Sequence, residues 1–472
     1  MELSDVDTDN QPLLGFQSNH FDNDNSINNP DTNTSISDVD VSENDSSKTS
    51  DAEEFSFRGL DRRKKMVFLI IGMVNFCACT CFSLLAPFFP AEATKKGVST
   101  TVVGLIFSCF EFWIFVTSPI FGYFLTRIGA KFTFISGIMV CGSCSVLFGI
   151  LDKCPPNEVF IAMCFACRTV EALGCSAFVT ASFAIIAHEF PNNVATVFGS
   201  LETFTGIGMM VGPPIGGALY ELGGYGLPFW TMGTILITCG FVSFIYMPGQ
   251  DEGAKTFKGS VLRLLKSPLV VVCCFTVFCS SFALGFLDPT LANHLEVFNL
   301  SSLYVGLIFL CAPGIYGFTA PLWGYLGDAK DWTAGMMIIG LFFSGIAYLL
   351  LGPAPFLPFL PFTLWLTIVT LCCFGLFFGC SLIPTFTGIL TGAKQLGLDE
   401  SLDTFGMVSG LFNSSFSLGA FVGPSIGGLL QDHFGFGWAA SSCGFLYLAT
   451  TLVVILFRFT SKQGFNKPPP TG

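Results

Sequence analysis

The chain has 472 residues, of which 51% are hydrophobic and only 11% are charged, and its mean hydropathy is +0.67. This composition excludes a soluble globular domain, because such domains carry about twice that share of charged residues. The net charge of −12 comes from residues 1–57, which hold 14 acidic residues and one basic residue. The apolar remainder is close to neutral, so we expect no basic partner and no nucleic acid to bind it.

Residues 1–60 are rich in Asp, Asn and Ser and poor in apolar residues, which predicts a disordered tail. Within this tail, Asp9-Asn-Gln-Pro-Leu13-Leu14 resembles an acidic dileucine sorting signal. Adaptor proteins read such signals at endosomes, lysosomes and related vesicles. Asp9, Leu13 and Leu14 are therefore a candidate sorting motif, provided that the tail faces the cytosol.

Twelve apolar stretches follow the tail, and each approaches or exceeds the ~20 residues that cross a bilayer as a helix. In lipid the backbone must satisfy its own hydrogen bonds, and continuous apolar runs favour helices over a β-barrel. The predicted fold class is therefore an all-α membrane protein. The predicted helices are 66–89, 101–126, 131–151, 159–187, 197–220, 228–248, 268–291, 302–326, 334–352, 361–392, 404–430 and 437–457.

Basic residues concentrate on one side of these helices, beginning with the run at 62–65, and only three lysines fall on the other side. Because basic loops face the cytosol, both termini are predicted to be cytosolic. The sequon Asn299-Leu-Ser301 then lies in a lumenal loop, where Asn299 is a predicted glycosylation site. The predicted domains are a 1–60 tail, a 61–248 bundle, a 249–267 linker, a 268–458 bundle and a 459–472 tail.

A glycine–proline pattern occurs twice, 211 residues apart, in the fifth and eleventh predicted helices. Both copies read Gly-x-x-x-Gly-Pro-x-x-Gly-Gly, which indicates that the chain contains two copies of one unit. Prolines interrupt the helical hydrogen bonds and glycines permit close backbone contact. We therefore predict bends and close packing, with a gating role, where the two halves meet. The residues concerned are Gly208, Gly212, Pro213, Gly216, Gly217, Gly423, Pro424 and Gly427.

The repeat extends further, since Val103-Gly-Leu-Ile-Phe107 recurs as Val305-Gly-Leu-Ile-Phe309. Two sets of six helices related by a parallel repeat form the architecture of the major facilitator superfamily, which the chain resembles over residues 62–460. The loop after the second predicted helix resembles that family's cytosolic motif, with Thr126 where the family usually has Asp. Further gating candidates implied by the resemblance are Gly122, Arg127 and Asp328.

Other stretches resemble narrower groups within the superfamily. Arg168-Thr-Val-Glu171 in the fourth predicted helix resembles the proton-coupling motif, and the fifth resembles the antiporter signature. Ala86-Pro-Phe-Phe-Pro90 and Gly285-Phe-Leu-Asp-Pro-Thr290 are among the runs similar to vesicular amine transporters, most of all to the polyamine transporter branch. Helices 1, 10 and 11 lack the acids of the monoamine and acetylcholine branches, so monoamine recognition is not expected.

Five charged residues lie inside predicted helices. Each charge at mid-membrane costs ~2.5–3.5 kcal/mol on insertion scales, so packing alone would not retain all five. Their formal sum is −3, which favours a bound cation. They are Glu111, Arg168, Glu171, Glu202 and Asp288.

Each has a functional and a structural interpretation. Asp288 precedes Pro289, which frees a backbone carbonyl, so it is a candidate ammonium ligand or a carboxyl packed near a helix bend. Arg168 and Glu171 share a helix face and form either a proton relay or a static buried pair. Glu111 is a candidate second ammonium ligand or a partner of Arg168.

Glu202 is a proton-coupling candidate near a cytosolic gate, or an acid favoured by its helix start. Tyr316, with Tyr304, Trp323 and Trp365, could offer a cation–π face to substrate. His294 and His433 are predicted in lumenal loops, where they either sense acid pH or are merely solvated. No metal-ligand spacing or catalytic constellation is present, so neither a cofactor nor enzyme activity is expected.

The sequence therefore predicts a proton-coupled antiporter that moves organic cations, in particular spermine and spermidine, into acidic vesicles. Its expected partners are membrane lipid, the cation, protons and sorting adaptors, and the expected functional unit is a monomer. Two alternatives remain. One is a transporter of another vesicular or lysosomal metabolite, and the other is a membrane scaffold that recruits partners through its acidic tail.

Overall fold

The computed structural model describes residues 61–85, 88–249, 261–300, 302–330, 332–352, 354–356 and 363–461. The sorting motif Asp9, Leu13 and Leu14 lies outside these residues, as does Ser301 of the sequon. The described chain is helical, without strands. Its helices are α1 (Arg62–Ser83), α2 (Phe89–Lys95), α3 (Thr100–Ile128), α4 (Ala130–Phe148), α5 (Glu158–Glu189), α6 (Val194–Gly223), α7 (Gly226–Tyr246), α8 (Val261–Leu264), α9 (Pro268–Leu295), α10 (Ser302–Phe309), α11 (Cys311–Lys330), α12 (Thr333–Leu351), α13 (Leu364–Gln395) and α14 (Leu402–Thr460).

Eleven stretches of the described chain are helical, apolar and long enough to cross a membrane. The last, α14, has 59 residues and contains Gly435 with φ 78° and ψ 164°, which is not helical. This positive φ suits glycine, because a side chain would clash there. Gly435 divides α14 into two crossings, and α10 and α11 together form one crossing. The prediction of an all-α protein with twelve crossings is confirmed.

The crossings form an N-terminal bundle, with α1 and α3–α7, and a C-terminal bundle, with α9–α14. Successive crossings alternate in direction, so the start of α1 and the end of α14 lie at the same end of the molecule. We call this the termini end and the opposite side the far end. Basic residues at the ends of α1, α3, α11, α13 and α14 gather at the termini end.

The repeated glycine–proline motif packs within each bundle. A Cβ atom added at Gly212 of α6 would lie 1.9 Å from the Ser83 Oγ atom of α1. A Cβ atom added at Gly423 of α14 would lie 2.3 Å from the carbonyl oxygen of Phe282 in α9. Gly208, Gly216 and Gly427 make similar approaches, whereas Gly217 has open space around it. The helices that carry the motif, α6 and α14, are those at which the two halves meet, but Gly212 and Gly423 themselves contact helices of their own bundle.

The bundles contact each other along two seams, which involve other residues of α6 and α14. In the first seam, between α3 and α14, a Cβ atom on Gly122 would lie 2.3 Å from the Gly406 carbonyl oxygen. In the second seam, between α6 and α11, a Cβ atom on Gly199 would lie 2.4 Å from the Ala320 carbonyl oxygen. Both contacts lie toward the termini end, where the backbones of opposite bundles touch directly.

Carboxylates bridge both seams at the termini end. Asp328 of α11 accepts hydrogen bonds from the backbone N–H groups of Ala195 (3.2 Å) and Thr196 (2.7 Å), and from the Thr196 hydroxyl (2.7 Å). It therefore caps the positive N-terminus of α6 across the bundle interface. In the first seam the Thr126 hydroxyl donates to Asp403, in the first turn of α14. Here the carboxylate comes from the opposite helix, which accounts for the neutral residue at position 126.

The Thr126–Asp403 contact predicts a specific charge effect. Thr126→Asp should weaken closure of the termini end, because two carboxylates would then face each other across the first seam. Adding Asp403→Asn should restore closure, since an amide can donate to the new carboxylate. Hydrogen exchange of α3 and α14 at pH 7.5 measures this, with an expected increase in the single variant and recovery in the double. Equal exchange in the wild type and Thr126→Asp would contradict the assigned contact.

Aromatic rings also close the termini end. Phe183 and Phe198 of the N-terminal bundle contact Phe386 and Phe412 of the C-terminal bundle, with ring centroids 5.1–6.1 Å apart. All four side chains are buried. The structure is therefore closed at the termini end by backbone contact, carboxylate bridges and ring packing.

Candidate functional site

The charged residues inside the membrane lie at successive depths. At a rise of 1.5 Å per residue, Asp288 lies about 10 Å from the far end of α9. Glu111 and Arg168 lie about 16 Å and 15 Å from the far ends of α3 and α5. Glu202 lies about 12 Å from the termini end of α6, well beyond its first turn, so the helix-start interpretation does not hold.

Asp288 has the most accessible carboxylate of this set. It and Pro289 are exposed, whereas Leu287 and Thr290 on either side are buried. It nevertheless lies among other protein groups, since it interacts electrostatically with Glu111 and with the buried Tyr348. Pro289 lies inside α9 and cannot donate to the Gly285 carbonyl one turn earlier. An exposed carboxylate beside a free carbonyl can bind an ammonium group.

Glu111 connects the two bundles at mid-depth. Its half-buried side chain in α3 interacts with the Ser417 side chain of α14. It also interacts electrostatically with Arg168 in its own bundle and with Asp288 in the other. Glu111 thus joins Asp288 and Arg168 in one electrostatic network, while the ion pair of Arg168 among the described residues is with Glu171.

Arg168 and Glu171 form a buried ion pair, as their spacing predicts. The Arg168 Nη1 atom lies 2.8 Å from the Glu171 Oε2 atom, and Arg168 is fully buried. Its Nε and Nη2 atoms have no hydrogen-bond partner among the described residues. Four phenylalanine rings surround the guanidinium at 5.2–6.0 Å and supply cation–π contacts: Phe82, Phe107, Phe110 and Phe148.

The Tyr316 hydroxyl donates to the Glu202 Oε2 atom at 2.9 Å, from α11 to α6. Both side chains are buried, and the Tyr316 ring packs edge-on against Phe378 at 4.9 Å. In this conformation Tyr316 binds an acid of the opposite bundle, so the predicted cation–π face is not free. Glu202 lies about one turn from Gly199, whose backbone contact helps to close the termini end.

The other aromatic candidates lie away from the charged network. Tyr304 and Trp365 are 60% and 77% exposed on the outer surface. Trp323 is half-buried and donates from Nε1 to the Leu376 carbonyl at 2.9 Å. The four phenylalanines around Arg168 could not be selected from the sequence, because the chain contains 55 phenylalanines. Ser417 was equally inconspicuous, since a serine in an apolar helix is not distinctive.

His294 follows the membrane crossing 268–291 in α9 and stacks on Phe436 with ring centroids 3.7 Å apart. Burial lowers its pKa from 6.5 to about 4, against a smaller raising effect of a backbone hydrogen bond with Leu351. The lowered pKa favours a neutral imidazole at mildly acidic pH, which argues against the acid-sensing interpretation considered from the sequence.

The depressed pKa of His294 makes stability depend on pH. Below pH 6.5 His294 binds a proton in the unfolded chain but stays neutral in the folded protein. The free energy of unfolding therefore decreases as the pH drops toward 4. We expect His294→Phe, which keeps the stacked ring, to show a smaller decrease in Tm between pH 7.5 and pH 5.0 than the wild type. The control is His433→Phe, at an exposed histidine of the same end, which should decrease like the wild type. Equal decreases in all three proteins would refute this assignment.

A closed seam, an internal charged network and two six-helix bundles together define a secondary transporter. The Major Facilitator Superfamily model matches residues 71–397. The chain therefore belongs to the major facilitator superfamily, whose members are membrane transporters rather than enzymes. In a solved structure, the human organic anion transporter MFSD10 (TETRAN), 100% of that chain and 84% of this one align with a TM-score of 0.66 and 16% identity. That likeness shows the fold alone.

Curated relatives define the group more narrowly. The human MFS-type transporter SLC18B1 is 42% identical over 402 residues, covering 84% of this chain and 87% of the relative. The probable vesicular acetylcholine transporter-B of Danio rerio is 22% identical, covering 85% and 81%. The human synaptic vesicular amine transporter is also 22% identical, covering 81% and 70%. The resemblance to vesicular amine transporters is confirmed.

Proposed function

We propose that this protein is a proton-coupled antiporter that loads polyamines such as spermine or spermidine into acidic vesicles. The observation that carries the proposal is the series of acids at successive depths between the bundles. Asp288 reaches accessible space, Glu111 joins it to the Arg168–Glu171 pair, and Glu202 lies deeper. Spaced carboxylates suit a cation with several separated ammonium groups better than they suit a single amine.

Competition between protons and the polyamine for these acids would couple proton efflux to polyamine uptake. An acid that holds a proton cannot hold an ammonium group with full strength, so each displaces the other. Each unit of pH gradient supplies ~1.36 kcal/mol per proton, and two protons across two units supply roughly four times that. Rocking of the bundles about the acids would expose them to each side in turn. The structure would then be a form closed toward the cytosol, since its termini end is closed.

The same orientation would place both termini in the cytosol. Basic residues at the termini end support it, because such residues mark cytosolic loops. The dileucine motif would then be available to sorting adaptors. Asn299 is exposed at the far end, as glycosylation in the lumen requires.

The test is uptake by the purified full-length protein in liposomes with an acidic interior. Radiolabelled spermidine should accumulate only when the pH gradient is present, and unlabelled spermine should compete. A panel of monoamines, acetylcholine and amino acids should compete weakly. Gradient-driven uptake of another panel member, with no spermidine uptake, would instead favour the alternative of a different vesicular metabolite.

A further inference from the structure

The second seam contains an ionisable hydrogen bond between the bundles. Glu202 belongs to the N-terminal bundle and Tyr316 to the C-terminal bundle, and their bond of 2.9 Å joins two side chains that are each less than one-tenth exposed. Beside it, the Thr203 hydroxyl donates to the Gly317 carbonyl at 2.7 Å. A Cβ atom on Gly206 would lie 3.0 Å from the Gly317 Cα atom. The bond is therefore part of the surface along which the bundles must separate.

At about the depth of Glu202, the first seam is joined by neutral groups. The Asn413 side-chain amide donates to the Ser118 hydroxyl at 2.8 Å, and Ser118 also contacts the Ser176 hydroxyl at 2.9 Å. The Ser414 hydroxyl donates to the Phe115 carbonyl at 2.8 Å. None of these three bonds contains a group that titrates near neutral pH. At the depth of these bonds, a proton can change the second seam but not the first, whose ionisable residue Glu111 lies about 10 Å further from the termini end along α3.

The surroundings of Glu202 leave its charge uncompensated. None of the four ion pairs among the described residues includes it. The titratable groups that face it are Tyr316 of α11 and Cys79 of α1. The other acid of this seam, Asp328, caps the start of α6 at Thr196, six residues or about 9 Å before Glu202 along that helix. The state of the bond therefore depends on the proton of Glu202.

A hydrogen bond to an ionised carboxylate is roughly twice as strong as one between neutral groups. We propose that Glu202 and Tyr316 form a proton-responsive clasp, which holds the bundles together at the termini end while Glu202 is ionised and loosens when Glu202 takes up a proton. The clasp rests on the proposed proton coupling. A proton that enters from the lumen and binds Glu202 would then allow the termini end to open toward the cytosol.

Hydrogen exchange of the full-length protein in nanodiscs, without substrate, tests the clasp at pH 7.5 and pH 5.5. After correction for the intrinsic exchange rate, peptides covering residues 194–206 and 313–330 of the wild type should exchange faster at pH 5.5. Tyr316→Phe, which removes a single oxygen atom, and Glu202→Gln, which resembles the protonated acid, should exchange roughly tenfold faster than the wild type at pH 7.5. In both variants the corrected exchange rates at pH 7.5 and pH 5.5 should be equal.

Matched controls separate the clasp from general loosening. Asn413→Ala weakens the neutral seam and should raise exchange while keeping the wild-type pH difference. Asp328→Asn should behave in the same way. An unchanged pH difference in both Tyr316→Phe and Glu202→Gln would overturn the clasp. Because no substrate is present, failure of spermidine uptake with an intact pH difference would count against the proposed substrate alone.

Discussion

Asp288→Asn should reduce spermidine uptake driven by a pH gradient by about ten- to a hundredfold. The estimate follows from the loss of a charge-assisted hydrogen bond to an ammonium group, worth about 1.5–3 kcal/mol. Asp288 is exposed and directly precedes Pro289 in α9, and this proline leaves the Gly285 carbonyl without its usual donor. The measurement is the initial rate of uptake into liposomes with an acidic interior.

The matched control is Asp432→Asn, at an exposed acid of α14 outside the charged network. It removes the same charge from the same bundle and should keep the wild-type rate. Uptake by Asp288→Asn at the wild-type rate would exclude Asp288 from both cation binding and proton coupling. It would leave the interpretation of a carboxyl packed near a helix bend.

The second large effect concerns the Arg168–Glu171 pair. Arg168→Met should destabilise the protein by about 3–5 kcal/mol, because Glu171 would keep a buried charge without its partner. Combining Arg168→Met with Glu171→Met should recover most of that stability, since apolar residues of similar volume often replace a buried pair without loss. Thermal unfolding in detergent measures both changes.

Transport by the double variant separates the two interpretations of the pair. If Glu171 exchanges a proton, a stable Arg168→Met/Glu171→Met protein will bind spermidine but fail to accumulate it against a gradient. If the pair only neutralises itself, the double variant will accumulate spermidine like the wild type. The second outcome would remove Arg168 and Glu171 from the proton pathway.

The sequence predicted features that depend on local spacing. Arg168 and Glu171 lie three residues apart, and helix geometry alone brings such side chains together. The twelve crossings could be predicted from the lengths of the apolar stretches. The two crossings within α14 were also predicted, because two separate apolar stretches lie on either side of Gly435. These predictions needed no knowledge of which helices are neighbours.

Features that depend on helix neighbours could not be predicted. Glu202 and Tyr316 are 114 positions apart, and no periodicity connects α6 with α11. The glycine–proline motif shows the same limit, because glycine spacing indicates close contact without identifying the helix contacted. Gly212 meets α1 of its own bundle. The partner of Thr126 could not be predicted either. The carboxylate in this seam belongs to Asp403, 277 residues away in the sequence, and not to residue 126 itself.

The backbone contacts at Gly122 and Gly199 bear on proton leakage. Closure there is made by main chain against main chain, at separations too small for a water molecule. A side-chain gate can open briefly when a rotamer changes, whereas two touching backbones separate only if whole helices move. A continuous file of water, which would conduct protons, therefore cannot form along these seams while the bundles remain docked. A membrane that holds many idle copies of this protein would therefore keep its proton gradient.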